Sequence, residues 1–178
     1  MLRICYRPIA EGGGSPSVYA LLADAYRDTC GGRLPTIRKT PSGKPYFPER
    51  PGVHFSLSHS RSHVMCAISD APVGIDIETN RYISERARHF FSTPHELSLF
   101  GAVELWVLKE SYVKLFGLSL PAVRGLCFSF GHGRVITPDP SVTSGLYHVD
   151  GCPAAVSSFG AALPETVELI AGSSALIC

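Results

Sequence analysis

Two carboxylates stand two residues apart in the segment 73–78, whose sequence is VGIDIE. The alternation of apolar and polar residues predicts a β-strand in which Asp76 and Glu78 share one face. Carboxylates about 6–7 Å apart on a strand face suit a hard cation. Gly74 shares that face and is predicted to leave room for a ligand. The plainer alternative is an edge strand with a solvated charged face, because this spacing is common.

A second polar group lies on a predicted helix over residues 103–116. Trp106, Glu110 and Lys114 recur every four residues, so they share one row of the helix surface. An exposed Glu110–Lys114 ion pair, worth about 0.2–0.5 kcal/mol, is the plainer alternative. Because a tryptophan is seldom left in water, we expect the row to be at least half buried, with both charges in need of partners.

Hydroxyl and imidazole groups follow at the end of a predicted strand over residues 53–58. Ser58 and His59, with the turn amides beside them, could hydrogen-bond phosphate oxygens, and ordinary turn chemistry is the alternative. His59 and His63 have the spacing of a helical zinc pair. The residues between them do not favour a helix, so zinc is not expected.

Two further polar groups have competing structural explanations. The cations Arg38, Lys39 and Lys44 lie in a predicted loop over residues 34–47, which forms either a solvated surface or an anion site. Glu96 follows Thr93 by three residues, with a proline at the first helical position between them. This is the pattern of a capping box, so a structural role is favoured for Glu96 over a functional one.

The elements that must position these residues follow the order helix, strands, helices, strands. This order favours the α+β class over a doubly wound sheet. No Walker loop, GxGxxG fingerprint or GxSxG elbow occurs. Apolar periodicity predicts helices over 17–29, 83–91 and 103–116, and strands over 53–58, 64–68, 73–78, 125–130, 146–149, 154–159 and 166–170.

The composition excludes several classes of protein. The 178 residues carry 16 Lys and Arg against 15 Asp and Glu, and a net charge of +1 will not recruit nucleic acid or an anionic membrane. No apolar run reaches the roughly 18 residues that span a bilayer, and no export signal is recognised. The six cysteines lack CxxC spacing, which argues against a zinc ribbon or a thioredoxin-type pair. We therefore expect a cytoplasmic protein with reduced thiols.

Five motifs in this order, GKPYF, FSLSHS, VGIDIE, FFSTPHE and WVLKESYVK, resemble the 4′-phosphopantetheinyl transferases. VGIDIE followed by WxxKES and a further lysine is the specific signature, and the matched stretch covers about residues 43–117. The likeness is to the longer, monomeric branch that activates surfactin synthetase and similar assembly lines. It implies a pseudo-two-fold fold of two similar α/β halves, residues 1–72 and 73–178, with coenzyme A in the cleft between them.

The implied activity is Mg²⁺-dependent transfer of the 4′-phosphopantetheine arm of coenzyme A to a serine of an apo acyl or peptidyl carrier protein. The serine oxygen attacks the β-phosphorus, and adenosine 3′,5′-bisphosphate leaves. One alternative is a non-catalytic relative that binds coenzyme A or a carrier protein. Another is a Mg²⁺-dependent hydrolase of phosphoanhydrides that uses the same acidic residues.

The resemblance also implies a role for each candidate residue. Carboxylates hold the metal, cations and hydroxyls hold the phosphates, and a carboxylate accepts the serine proton. Lysine stabilises the charge that develops on the leaving group. The residues are Asp76, Glu78 and Glu110 for Mg²⁺; Lys44, Ser58 and His59 for phosphate; and Glu110, Lys114 and, second as the base, Glu96 for catalysis.

One departure from the family concerns the 3′-phosphate of coenzyme A. Members of this branch usually carry an arginine- and lysine-rich N-terminal segment that helps to hold it. Before Leu34, this chain offers only Arg3, Arg7, Arg27 and Arg33. We therefore expect Arg38, Lys39 and Lys44 to take the 3′-phosphate.

A basic surface for the carrier protein is expected at residues 80–89, the densest basic stretch of the chain. Carrier proteins of this kind present an acidic helix beside the modified serine. On a predicted helix, Arg81, Glu85 and Arg88 would lie near one face. The inward face would carry Ile83, Ala87 and Phe90. A solvated helix face with no partner is the alternative.

Overall fold

Two main β-sheets, each covered on one face by a helix, form the frame of the molecule. The computed structural model describes residues 1–10, 14–160 and 162–170. In chain order the elements are β1 (Leu2–Pro8), α1 (Gly14–Cys30), β2 (Arg38–Lys39), β3 (Pro45–Tyr46), β4 (His54–His59), β5 (His63–Ser69), β6 (Val73–Ile77), α2 (Glu85–Phe91), α3 (Pro94–Leu99), α4 (Ala102–Phe116), a 3₁₀-helix (Leu120–Gly125), β7 (Ser129–Gly131), β8 (Arg134–Ile136), β9 (Val142–Val149), β10 (Cys152–Phe159) and β11 (Glu168–Leu169).

The first sheet has the strand order β11-β1-β5-β4. β1 and β4 each pair antiparallel with β5, whereas β11 pairs parallel with β1. The apolar stripe of α1, including Leu21, Leu22 and Tyr26, packs on one face of this sheet against Phe55 and Ile68. Helical spacing of these residues explains why the predicted helix over 17–29 is confirmed, with three further residues at its start and one at its end.

The second sheet has the strand order β6-β10-β9, with both pairs antiparallel. α4 packs on one of its faces, where Leu108 and Ala155 belong to one apolar cluster. The opposite face packs against the first sheet through a cluster that includes Ile75, Met65 and Ala67. The order of layers is therefore α1, first sheet, second sheet, α4.

Serine hydroxyls of β4 accept hydrogen bonds from the backbone amides on the edge of β6 that pairs with no other strand. The amides of Ile75 and Ile77 donate to Oγ of Ser56 at 3.1 Å and of Ser58 at 3.3 Å. β4 therefore lies beside β6 without a backbone ladder, and the edge carries no unpaired amide at these two positions. β6 is an edge strand of its sheet, as the alternative predicted, but all five of its residues are buried, so the predicted solvated face is wrong.

The α+β class is confirmed, and β1 is the main element that the sequence did not predict. Its two arginines interrupt the apolar pattern. In the structure they reach α1, where Arg3 Nη1 donates to Thr29 Oγ1 at 3.0 Å and Arg7 Nη2 donates to Asp24 Oδ2 at 2.7 Å. The strand is therefore stabilised by polar contacts that a search for apolar alternation does not detect.

Two predicted segments also differ from the structure. The predicted loop over 34–47 contains a short antiparallel ribbon, β2–β3. The predicted strand over 125–130 is replaced at its start by the end of the 3₁₀-helix, and only β7 forms, paired with β8. Among the residues that the structure describes, no helix is long and apolar enough to cross a membrane.

Candidate functional site

Gly74 brings α4 into direct contact with β6. A Cβ atom at this position would lie 2.0 Å from the carbonyl oxygen of Ser111 and 2.3 Å from the amide nitrogen of Leu115. Such distances are far inside van der Waals contact, so only glycine permits this approach. The expectation that Gly74 leaves room for a ligand is wrong, because the helix backbone fills that space. The contact instead places Glu110 and Lys114 of α4 beside Asp76 of β6 and Glu78, which directly follows the strand.

Asp76, Lys114 and Ser58 form a hydrogen-bonded triangle at the centre of the site. Lys114 Nζ lies 2.7 Å from Asp76 Oδ1 and 3.1 Å from Ser58 Oγ, and Ser58 Oγ donates to the same Asp76 oxygen at 2.6 Å. The Asp76 side chain is 8% exposed, whereas that of Lys114 is 31% exposed. In the described part of the chain, Asp76 Oδ2 makes no hydrogen bond, which leaves one carboxylate oxygen for a ligand.

Glu110 is the carboxylate with the most perturbed proton affinity in this group. Burial, with the negative charges of Asp76 and Glu78, raises its pKa to about 7, and Lys114 only partly offsets this. Burial and Asp76 also raise the pKa of Glu78, whose Oε1 lies 3.4 Å from Arg81 Nη2. The plainer alternative of an exposed Glu110–Lys114 pair is wrong, because Lys114 pairs with Asp76 instead.

The carboxylate oxygens of this group are of the ligand type that Mg²⁺ prefers. Across the described ranges, no three His, Cys, Asp or Glu side chains are already gathered as a metal-binding group. The pKa values of Glu78 and Glu110 are nevertheless raised, first by burial and then by the charge of Asp76, so a cation beside them would favour their ionised forms. Mg²⁺ takes one or two carboxylates together with water and substrate phosphates, so this donor set fits it. The three predicted metal ligands stay a prediction.

Lys44 lies where two pockets meet. Its Nζ donates to the carbonyl oxygen of Leu115 in the last turn of α4, and burial lowers its pKa to about 8. A pocket of about 230 Å³ between Lys44 and Lys114 is lined also by Phe55 and Leu118. A second pocket of about 290 Å³ lies on the other side of Lys44 and is lined also by His54. Lys44 thus lines both pockets, and its ammonium lies at the C-terminal end of α4.

The other predicted phosphate ligands are less closely grouped. His59 is exposed at the end of β4, and its ring lies against Gly14 at the start of α1, where an added Cβ would be 3.0 Å from Nδ1. Arg38 and Lys39 are exposed on β2, and neither lines the two pockets beside Lys44. Their assignment to the 3′-phosphate stays a prediction.

Glu96 lies apart from this group and is 2% exposed. It forms the predicted capping box with Thr93, which is confirmed, and its Oε1 accepts from the Phe128 amide at 3.0 Å. The same oxygen lies 2.8 Å from Nζ of Lys109, which is 1% exposed. Burial acts to raise the pKa of Glu96, but these partners outweigh it, so the pKa falls below its ordinary value. These contacts favour the structural role; the role as second base stays a prediction.

Two residues near the site were not singled out from the sequence. Lys109 precedes Glu110 in the sequence but is not in the helical row of Trp106, Glu110 and Lys114. Its Nζ donates to the carbonyl oxygens of Phe91 at 2.5 Å and Leu126 at 2.7 Å. His54 lines the larger pocket, and burial together with Lys44 lowers its pKa. Lys109 lies within the motif WVLKESYVK, and His54 directly precedes FSLSHS. Their place in or beside these motifs is the sequence feature that could have pointed to them.

The predicted basic face of α2 is wrong in one respect. α2 begins at Glu85 after the N-cap Ser84, so Arg81 lies outside the helix. Arg81 and Arg88 nevertheless line one pocket of about 400 Å³ with His148. Arg88 Nε is buried, and it has no hydrogen-bond partner among the described residues.

The chain is similar to known proteins over part of its length. It is 42% identical over 91 residues to the 4′-phosphopantetheinyl transferase Sfp of Bacillus subtilis (strain 168), which is 44% of this chain and 41% of that protein. It is 40% identical over 91 residues to the 4′-phosphopantetheinyl transferase gsp of Aneurinibacillus migulanus, with 46% and 38% covered. For the 4′-phosphopantetheinyl transferase psf-1 of Bacillus pumilus the values are 40% over 86 residues, with 43% and 37% covered.

These matches confirm the resemblance predicted from the motifs. The matched stretch spans about two fifths of the length of each of these relatives. No protein-family model matches the chain.

Proposed function

We propose that this protein is a Mg²⁺-dependent 4′-phosphopantetheinyl transferase that uses coenzyme A and an apo carrier protein. One observation carries the proposal: the contact of α4 with Gly74 places Glu110 and Lys114 beside Asp76 and Glu78. The two motifs that form the most specific signature in the sequence thus supply one site. The similarity to three named transferases supports the same activity.

Asp76, Glu78 and Glu110 would hold the metal. When bound, Mg²⁺ neutralises pyrophosphate charge and polarises the phosphorus that is attacked. The free Oδ2 of Asp76 and the uncompensated charge at Glu110 support this assignment. Only a few protein carboxylates are needed, because substrate phosphates and water supply the remaining oxygens.

Lys114 would stabilise the leaving group. A lysine ammonium has three donors, and two of them serve Asp76 and Ser58. The third is available to a phosphate oxygen in the pocket of about 230 Å³ that Lys114 lines. Because Asp76 and Ser58 fix the ammonium, little reorganisation is needed as charge develops.

Glu110 is the proposed base for the carrier serine, directly or through a water. In the metal-free protein the pKa of this carboxylate is about 7, so it can accept and release a proton near neutral pH, whereas a cation bound to it would lower that value. Glu96 is a weaker candidate, because its Oε1 already accepts from Lys109 and Phe128.

Coenzyme A would lie across the two pockets that meet at Lys44, with its phosphates towards Lys44 and Lys114. The pockets lie beside β4, which belongs to the first sheet, and beside the C-terminal end of α4, which packs on the second sheet. The proposed pseudo-two-fold halves, residues 1–72 and 73–178, would then meet along β4 and β6. Each main sheet has a helix on its outer face, which supports this arrangement. β11 departs from it, because this strand lies in the second half of the sequence and pairs with β1 of the first sheet.

The test is incubation of the protein with coenzyme A, Mg²⁺ and a panel of apo acyl and peptidyl carrier proteins, followed by intact mass. We expect one carrier to gain the mass of one phosphopantetheine arm, and Asp76→Asn or a chelator to prevent it. Coenzyme A binding without any modified carrier would instead indicate the non-catalytic relative. Cleavage of coenzyme A with no carrier present would indicate the hydrolase.

A further inference from the structure

We propose that Cys152, His63 and Asp150 form a second reactive site, in which Cys152 attacks small disulfides. The site lies on the face of the second sheet that packs against the first sheet, where Cys152 shares an apolar cluster with Ile77. α4 and its acidic group lie on the other face of that sheet. The inference therefore does not depend on the proposed transferase activity.

The three side chains are aligned as a thiol, an imidazole and a carboxylate. Cys152 Sγ lies 3.6 Å from His63 Nδ1, and His63 Nε2 lies 3.1 Å from Asp150 Oδ2. Each ring nitrogen thus has a different partner. This is the geometry in which a carboxylate orients an imidazole and the imidazole accepts the proton of a thiol.

Local structure holds each group in place. Asp150 and Gly151 form the two-residue turn between β9 and β10, with φ angles of +50° and +78°. Aspartate tolerates this left-handed conformation better than most residues, so the turn directs its carboxylate back towards β5. His63 begins β5 and is 7% exposed. The imidazole therefore comes from the first sheet, and the thiol and the carboxylate come from the second.

A hydroxyl competes with the thiol for the imidazole. If Nε2 carries the proton that Asp150 accepts, Nδ1 presents one lone pair. Ser62 Oγ lies 2.8 Å from that nitrogen, closer than Cys152 Sγ. The Tyr6 hydroxyl lies 3.4 Å from Asp150 Oδ1, and Glu165 lines the same pocket as Tyr6 and Asp150. Ser62 should therefore restrain the reactivity of Cys152.

The reaction is a thiol–disulfide exchange. The proton of Cys152 passes to His63 Nδ1, and the resulting imidazolium is stabilised by Asp150. The thiolate attacks one sulfur of the small disulfide, a mixed disulfide with Cys152 forms, and the original S–S bond breaks. The departing thiolate takes up the proton, so one disulfide is consumed and one mixed disulfide and one free thiol are produced.

Other cysteines of the chain provide internal controls. Cys127 is exposed, so it reports an unassisted thiol, while Cys66 is 0% exposed and reacts only when the protein opens. Cys152 is 7% exposed, so its exposure lies between that of Cys66 and that of Cys127. The competing explanation is an inert buried thiol beside a core histidine whose hydrogen bonds are satisfied. The two explanations differ in the pH dependence of labelling.

The experiment measures labelling rates at each cysteine with hydroxyethyl disulfide, by peptide mass spectrometry of the folded protein near pH 8 and near pH 6. An unassisted thiol should react roughly 100-fold more slowly at the lower pH, because its thiolate fraction falls. We expect Cys127 to follow this dependence and Cys152 to slow by less than about tenfold. Labelling of Cys152 in parallel with Cys66 or with Cys127 would overturn the proposal.

Three variants connect the rate to the geometry. Asp150→Asn keeps the turn, because asparagine also tolerates positive φ, and should slow Cys152 labelling at least severalfold at pH 6. In His63→Asn, the labelling rate of Cys152 should fall between pH 8 and pH 6 as steeply as that of Cys127. Ser62→Ala should raise the rate, because it frees Nδ1 for the thiol. Unchanged Cys152 rates in Asp150→Asn and Ser62→Ala, with Cys66 as the control for folding, would show that the thiol reacts without the imidazole.

Discussion

Lys114 Nζ lies 2.7 Å from Asp76 Oδ1, although the two residues are 38 positions apart and belong to a helix and a strand. Ser58 joins them from a third element by donating to the same oxygen. Lys114 pairs with Asp76, whereas burial, and then the charge of Asp76, disfavours the negative charge on Glu110 and Glu78 and raises their pKa values. A cation bound beside them would relieve that charge. Lys114 thus holds the carboxylate of Asp76 in place, while the carboxylates of Glu78 and Glu110 stay available to bind a cation.

Asp76→Asn should lower transfer on the order of 10²–10³-fold at millimolar Mg²⁺, because it removes a charged metal ligand and retains a group that can accept from Ser58 and Lys114. Its melting temperature should change little. Asp76→Ala should also destabilise the fold by about 1–3 kcal/mol, because it leaves two donors without their acceptor. Steady-state assays and thermal unfolding measure the two effects, and near-normal turnover of Asp76→Asn would refute the metal assignment.

Glu110→Gln should stabilise the metal-free protein near pH 8 and have much less effect near pH 5. The pKa of Glu110 rises from 4.5 to about 7 on folding, so the folded protein binds the extra proton between those values. Ionised Glu110 therefore destabilises the fold above about pH 7, and the penalty disappears as the pH falls below 4.5. Urea unfolding in a chelating buffer measures this. Glu49→Gln, at an exposed position, is the control and should show no such difference; equal effects of Glu110→Gln at both pH values would contradict the burial argument.

Lys44→Met should raise the KM for coenzyme A by roughly 10- to 100-fold if Lys44 binds the 3′-phosphate, since a charge-assisted hydrogen bond is worth about 1.5–3 kcal/mol. The KM for dephospho-coenzyme A should rise much less. Methionine keeps the packing of the long side chain, although the bond to the Leu115 carbonyl is lost. Equal changes for both substrates would exclude Lys44 from the 3′-phosphate. Arg134→Met, at an exposed position on β8 outside the two pockets, is the comparison.

Glu96→Gln should destabilise the protein by about 3–5 kcal/mol, because it leaves the buried ammonium of Lys109 uncompensated. Combining it with Lys109→Met should recover much of that loss, since no charge is then buried alone. Chemical unfolding measures the double-mutant cycle, and transfer is assayed in parallel. Full activity in a refolded double variant would exclude Glu96 as a base, whereas inactivity at restored stability would favour its catalytic role.

Reversal of Arg81 and Arg88 to glutamate should lower the association rate for the carrier protein and weaken its salt dependence. Both residues line one pocket, although only Arg88 belongs to α2. The KM for coenzyme A should barely change. Arg134→Glu, at an exposed position on β8, is the control for net charge. A carrier KM that is unchanged in the double variant across ionic strengths would show that the carrier docks elsewhere.

Sequence spacing was sufficient to predict the elements that carry the site. The alternation in 73–78 and the four-residue row of Glu110 and Lys114 depend on local backbone geometry alone, so β6 and α4 were predicted close to their observed bounds. The capping box at Thr93 is similarly local and is confirmed. β1 was not predicted, because its arginines gain their partners only in the folded chain, from α1 and from residues 168–170.

The pairing of charged groups required the tertiary structure. Local spacing favoured a Glu110–Lys114 pair, but the close approach at Gly74 lets Lys114 reach Asp76 instead. The same holds for Glu96, whose partner Lys109 lies 2.8 Å away on another helix. A sequence pattern specifies which face of an element a residue occupies. It does not specify which element packs on that face, and burial and charge partners, which set proton affinities, depend on that packing.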